Sequence, residues 1–211
     1  MSPSGAVRGR QSRRLQASIV ALAGRRIDAV DTPSERFPLD QVGTVARRLR
    51  ATFRSLKAHT LVCAAANGAD LVALRVAQEL GMRCRIVLPF SATRFRRVSV
   101  TDRPGGELWG WLFDDLVARA RADRDLIMLP RRRGGDTLAF AAANERIIKE
   151  ARRLARGPIS PGRSGQRRAV ASPIAVVVWE GGSRGKGDTT AGFAQLARAA
   201  GLRVKPVRSR A

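Results

Sequence analysis

"PIAVVVWEGGSRGKGDTTAGFAQLARAA", residues 173–200, holds three signals in a row. Residues 173–180 are a run of apolar and β-branched side chains with no polar alternation, which predicts a strand buried on both faces. Gly181, Gly182, Gly185 and Gly187 then break the run and allow backbone conformations closed to other residues. From Asp188 the apolar spacing becomes helical, with Asp188 or Thr189 suited to the N-cap, and Gly201 stops the helix. Buried strand, glycine-rich loop and helix in succession are the repeating unit of a parallel α/β sheet.

The same unit recurs along the chain. Strand-like runs occur at 17–24, 59–65, 83–90 and 125–130, and 202–207 reads as an edge strand because Pro206 cannot donate to a ladder. Between them, Val42, Val45, Leu49, Phe53 and Leu56 keep helical spacing, as do Val72, Val76 and Leu80 before Gly81. Residues 109–122 and 137–155 read as further helices, and the stretch between 90 and 109 reads as irregular. The expected fold is a Rossmann-like α/β three-layer sandwich with a mainly parallel sheet of about six strands, in one domain over 16–208. Residues 1–15 read as a disordered basic arm, and the Gly/Pro/Ser/Arg-rich 157–172 as a mobile loop within the domain.

Composition narrows the function without naming it. No apolar run approaches the roughly 20 residues of a membrane span, and the arginines near the start precede no signal-peptide core. The expectation is a cytoplasmic protein with no membrane partner. The net charge of +23 suggests a polyanionic partner, with nucleic acid reached through the basic arm and the loop at 131–133. Lysine occurs only at 57, 149, 186 and 205, so the excess is arginine spread along the chain, which equally fits general arginine usage. Cys63 and Cys84 lie in strand-like runs and read as reduced core residues. The single histidine, His59, opens a strand, away from where a parallel sheet binds ligands. That leaves no Ser/His/Asp arrangement and no metal-ligand cluster.

Ligands of open parallel sheets bind beyond the carboxyl ends of the strands. Those ends supply Gly24-Arg25 with Asp28, then Asn67-Gly68 with Asp70, Pro89-Phe90, Pro130, and Trp179-Glu180-Gly181. Gly185, Gly187, Asp188, Thr189 and Thr190 lead into a helix N-terminus, where backbone N–H groups and the helix dipole favour an anion. The loop matches neither a Walker P-loop nor a dinucleotide fingerprint, since Gly187 and Thr190 stand where those need other residues. Asn144 lies on the otherwise apolar stripe Phe140, Ile147, Ala151, Leu154, so its amide faces either a structural partner or a ligand cleft. Trp109 and Trp111 read as packing residues, and Asp114-Asp115 as a solvated helix face.

The ordered set Ala23-Gly24-Arg25, "AAANGADLVAL" (64–74), "VLPF" (87–90) with "TRFRRVSV" (93–100), "AFAAANERII" (139–148) and "VVVWEGG…GKGDTTAGF" resembles the SLOG superfamily of Rossmann-like nucleotide-sensing domains. That superfamily includes the Lonely Guy phosphoribohydrolases and the DNA-processing protein A fold, and the likeness is nearest to a bacterial branch. The resemblance implies a nucleotide or nucleotide-derivative ligand, with phosphate held at the Gly-rich loop and helix N-terminus over 181–190. Gly24 and Gly68 would allow close backbone approach. Asn67 and Asn144 would hydrogen-bond ribose or base, Glu180 or Asp70 would accept from ribose hydroxyls, and Arg25 or Arg94 would offset phosphate charge. Asp70 capping its own helix and Arg94 as a surface charge stay open beside these roles. The Lonely Guy motif Pro-Gly-Gly-x-Gly-Thr-x-x-Glu departs here: Gly192 stands three residues past Thr189, where the catalytic glutamate belongs. A binding or sensing domain is therefore expected rather than an enzyme. Nucleotide N-glycoside hydrolysis with Glu180 or Asp188 as substitute acid is the alternative, since burial at a strand mouth would raise the Glu180 pKa. A nucleic-acid-binding protein is another. No cofactor is implied beyond the nucleotide-type ligand, and homo-oligomerisation and an effector protein stay open as partners.

Overall fold

The computed structural model describes residues 18–130, 135–156, 173–185 and 187–210. The arm at 1–15, the loop at 131–133, the connector at 157–172 and Lys186 lie outside the described residues.

Among the described residues six strands form one parallel sheet: β1 (Ser18–Gly24), β2 (Ala58–Cys63), β3 (Arg83–Leu88), β4 (Leu126–Met128), β5 (Ile174–Trp179) and β6 (Arg203–Arg208). Their order is β4-β3-β2-β1-β5-β6, and every pairing is parallel. Helices α1 (Val42–Ser55), α2 (Ala69–Glu79), α3 (Ala92–Ser99), α4 (Gly106–Ala122), α5 (Gly135–Ala155) and α6 (Thr189–Ala199) fill the crossovers. This is the expected Rossmann-like three-layer sandwich. Pro206 sits in the outermost strand, as its missing N–H requires.

The sheet buries both faces, which is why its strands show no alternation. On one side Leu49 and Phe53 of α1, Leu71 and Leu74 of α2 and Phe113 of α4 pack on Leu22, Leu61 and Ile86. On the other, Ile147 and Ala151 of α5 and Phe193 and Ala197 of α6 pack on Ile19, Ala21, Val62 and Val177. The chain runs outward from β1 to β4 beneath one helical layer. It then returns through α5 to β5 on the other side of β1. The direction of winding therefore reverses between β1 and β5, and a crevice opens there beyond their carboxyl ends.

Local corrections concern the segment after β3. Residues 92–99 form α3 rather than irregular chain: Ser91 caps it, accepting from the Arg94 N–H at 3.4 Å, and Phe95 and Ser99 share its buried face. Helix α4 starts at Gly106, three residues before Trp109, and β4 is shorter than expected. Trp109 packs, donating to the Pro104 carbonyl at 3.2 Å, but Trp111 is 73% exposed, against its expected packing role. Asp114 and Asp115 are solvent-facing and pair with Arg96 and Arg119. Both cysteines are free thiols, Cys63 buried and Cys84 half-buried. His59 is exposed near the start of β2. Among the described residues no helix is long and apolar enough to cross a membrane, and no cluster of His, Cys, Asp or Glu could hold a metal ion.

Candidate functional site

A cavity of about 580 Å³ occupies the crevice at the carboxyl ends of β1, β2 and β3. Gly24, Ala64 and Pro89 line it from the strand ends, and Asp70 from the first turn of α2. Ser99 lines it from the last turn of α3, Phe140 and Asn144 from α5, and Gly187, Thr189 and Thr190 from the approach to α6. The long loop after β1 supplies a further wall. Ile27 and Phe37 anchor that loop in the core, and Asp28 ties it by accepting from the Arg36 and Phe37 N–H groups at 2.8 and 2.9 Å.

Beside the cavity lies a buried ionic knot centred on Arg25, which is only 3% exposed. Its Nε and Nη2 donate to Glu180 at 2.7 and 2.9 Å, its Nη1 to Asp188 at 2.6 Å, and its Nη2 also to the Gly182 carbonyl. Arg36 adds a second donor to Glu180 at 2.6 Å. Burial alone would lower the Arg25 pKa, but the hydrogen bonds to Glu180 and Asp188 outweigh it and the net direction is upward. Burial likewise pushes the two acids up, and Arg25 more than reverses this. Glu180 ends below the ordinary glutamate value, and Asp188 falls to about 2 with help from the Arg184 and Ala191 N–H groups.

This knot corrects several expected roles. Asp188 is the N-cap of α6, accepting from the Thr190 and Ala191 N–H groups at 3.0 and 3.1 Å and from the Arg184 N–H at 2.7 Å. The anion site of the glycine-rich loop thus already holds a carboxylate from the chain itself. Glu180 does not line the cavity, and its pKa moves down rather than up because two guanidiniums face it. Arg25 carries two carboxylates, so its charge is balanced inside the protein.

The glycines divide by cause. Gly24 lines the cavity, yet its bare Cα is demanded by the protein: a Cβ there would lie 2.7 Å from Val178 Cβ and even closer to Ala69 Cβ. Gly68, at φ +83°, lets the loop before α2 reach the loop after β1, where a Cβ would lie 2.8 Å from the Arg25 carbonyl oxygen. Gly181 is crossed by the Arg208 side chain. Gly185 and Gly187 are different, with positive φ and open space where a Cβ would stand, and Gly187 lines the cavity.

Among the amides, Asn67 is fully buried and commits both ends to the protein, donating to the Val100 carbonyl at 2.9 Å and accepting from Arg26 at 3.3 Å. Asn144 faces the cavity while donating to the Thr189 carbonyl at 2.9 Å, which joins the two open roles. Arg94 lies outside the lining, over the Phe90 ring and paired with Asp136 at 2.6 Å. Trp179 is half-buried beside the second core cluster.

Asp70 remains. It is 7% exposed, its Oδ2 accepts from the Ala66 N–H at 3.2 Å ahead of the helix, and it caps no N–H inside α2. Burial pushes its carboxyl up to about 7, with the Ala66 N–H and the charge of Arg26 opposing. Sequence reasoning passed over Ser99, Phe140 as a wall, and the cationic lining from Arg26, Arg36, Arg103 and Arg184. The arginines were hidden among so many others; Ser99 would have followed from placing a helix after Ser91. No model of a known protein family matches the chain, and no curated protein matches its sequence.

Proposed function

We propose that the cavity binds a nucleotide or a nucleotide derivative and that the protein acts as a binding or sensing domain. The observation that carries this reading is the mixed polarity of one 580 Å³ space beyond the carboxyl ends of β1, β2 and β3, next to the point where the sheet's winding reverses. The apolar part of its wall, with Leu22, Ala64, Pro89, Phe95, Phe140 and Ile147, suits a planar base. Arg103 and Arg184 line it as well, with their nearest acids at 3.8 and 3.9 Å, longer than the tight pairs around Arg25. The anionic end of the ligand belongs there, against Gly187 and Thr189, rather than on the helix N–H groups that Asp188 already occupies.

Binding without rapid hydrolysis is the form supported by Glu180 and Asp188, the two acids weighed as substitutes for the missing glutamate. Glu180 and Asp188 are held ionised by Arg25, so neither offers a proton at neutral pH, and Gly192 leaves no acid at the motif position. A thermal-shift screen against 5′-mononucleotides, cyclic nucleotides and NAD-derived species tests the reading. A selective ligand at a hundred times its Kd should add about 2.7 kcal/mol of stability. Absence of a shift across the whole panel refutes it, and release of free base at several turnovers per second refutes the non-hydrolytic form.

A further inference from the structure

Among the described residues, two buried side-chain atoms have no hydrogen-bond partner: Asp70 Oδ1 and Ser99 Oγ. Both residues line the same cavity. They are also held by consecutive peptide groups, since Asp70 Oδ2 accepts from the Ala66 N–H and the Ser99 carbonyl accepts from the Asn67 N–H at 3.0 Å. The Asn67 side chain pins the same junction by donating to the Val100 carbonyl. Polar atoms so enclosed are normally satisfied, and two orphans facing one space imply that its occupant satisfies them. Ala64, Ala66, Pro89 and Phe95 are apolar parts of the same lining, the charge of Arg26 acts on Asp70, and the two residues are 7% and 1% exposed.

We propose that Asp70 and Ser99 read the base of the bound nucleotide, Asp70 Oδ1 accepting from a ring or exocyclic N–H and the Ser99 hydroxyl donating to the acceptor beside it. This inference rests on the nucleotide reading above and assigns the ligand's orientation. A phosphate suits this end poorly, because it would lie against the ionised fraction of a carboxyl that titrates near 7. A ribose would leave other hydroxyls unsatisfied against apolar walls. A nucleobase edge presents one donor next to one acceptor on an otherwise stackable, weakly solvated ring, which is what this floor provides. The base therefore enters first, and the phosphate stays with Arg103 and Arg184.

Calorimetric titration of the full chain with AMP, GMP, CMP and UMP, and with ribose 5-phosphate, tests the assignment. The best mononucleotide should bind at least about tenfold more tightly than ribose 5-phosphate. Ser99→Ala should weaken that mononucleotide by about tenfold, the loss of one buried hydrogen bond, and leave ribose 5-phosphate unchanged. Titrated at pH 8.5, where the carboxyl is ionised, Asp70→Asn should change the ranking among the four bases, because an amide presents a donor where the carboxylate only accepts. Equal affinity for ribose 5-phosphate and the mononucleotides overturns the base-reading assignment while leaving nucleotide binding intact. So does a Ser99→Ala protein, folded by circular dichroism, that binds the mononucleotide as tightly as wild type. If no mononucleotide and no other nucleotide binds the wild-type chain, the underlying reading falls with it.

Discussion

Arg25 and Asp70 both line the cavity, and burial leaves the first charged and drives the second toward its neutral form. Arg25 meets two carboxylates, and removing it leaves both buried without a counter-charge. Arg25→Met should therefore lower stability by about 3–5 kcal/mol, read as a shift in denaturant midpoint. The Asp188 carboxyl, held at about 2 in the fold, contributes stability above the unfolded aspartate value of 3.8, and this is lost as pH falls through 2. Asp188→Asn should flatten the acid limb of a Tm-against-pH curve over that window. For Asp70 the sign reverses. Its folded pKa near 7 exceeds the unfolded 3.8, so the stability its neutral form lends is complete below 3.8 and fades as pH rises through 7. Asp70→Asn should be more stable than wild type at pH 8, and that advantage should vanish at pH 4. A constant difference between the two proteins across that range would contradict the shift.

Among elements, the end of β1 and the loop before α6 contain glycines of opposite meaning. Gly24→Ala would drive a methyl into Ala69 and Val178, and should cost about 1–3 kcal/mol by overpacking, measured as a fall in Tm. Gly187→Val meets no atom but strains the backbone at φ +83° and intrudes on the cavity, so it should cost about 1–3 kcal/mol of stability and weaken affinity for the proposed nucleotide. An unchanged Kd would remove that loop from the site. The sequence carried the element level well because parallel strands have to be apolar throughout and helices have to keep 3.6 spacing. "PIAVVVWE" and the series Val72, Val76, Leu80 admit few other readings. Helix α3 escaped because only Phe95 and Ser99 mark its inner face among arginines. The site was legible as a location, the strand ends, yet not as a set of roles. Whether Glu180, Asp188 and Asn67 face a ligand or each other depends on contacts made across more than a hundred residues for Arg25, and on the turn of α3 for Asn67. No local pattern encodes such pairings.

Across the whole molecule, the two helical layers share a single sheet, so neither can lose its packing alone. Leu49→Ala in one layer and Ile147→Ala in the other should each lower stability by about 2–5 kcal/mol and leave one cooperative transition. Matching melting curves from circular dichroism and tryptophan fluorescence would establish this, while separate transitions would show that the layers unfold independently. The return of α5 from the outermost strand to the far side of β1 also bears on synthesis. When the ribosome has delivered β1 to β4, the first strand still has an open edge, because its partner β5 begins only at Ile174. Arg25 has by then been made without Glu180 or Asp188 to meet it. The nascent protein thus carries its future centre as an unfinished border until β5 emerges, and becomes foldable as a whole only once β5 and β6 have been made.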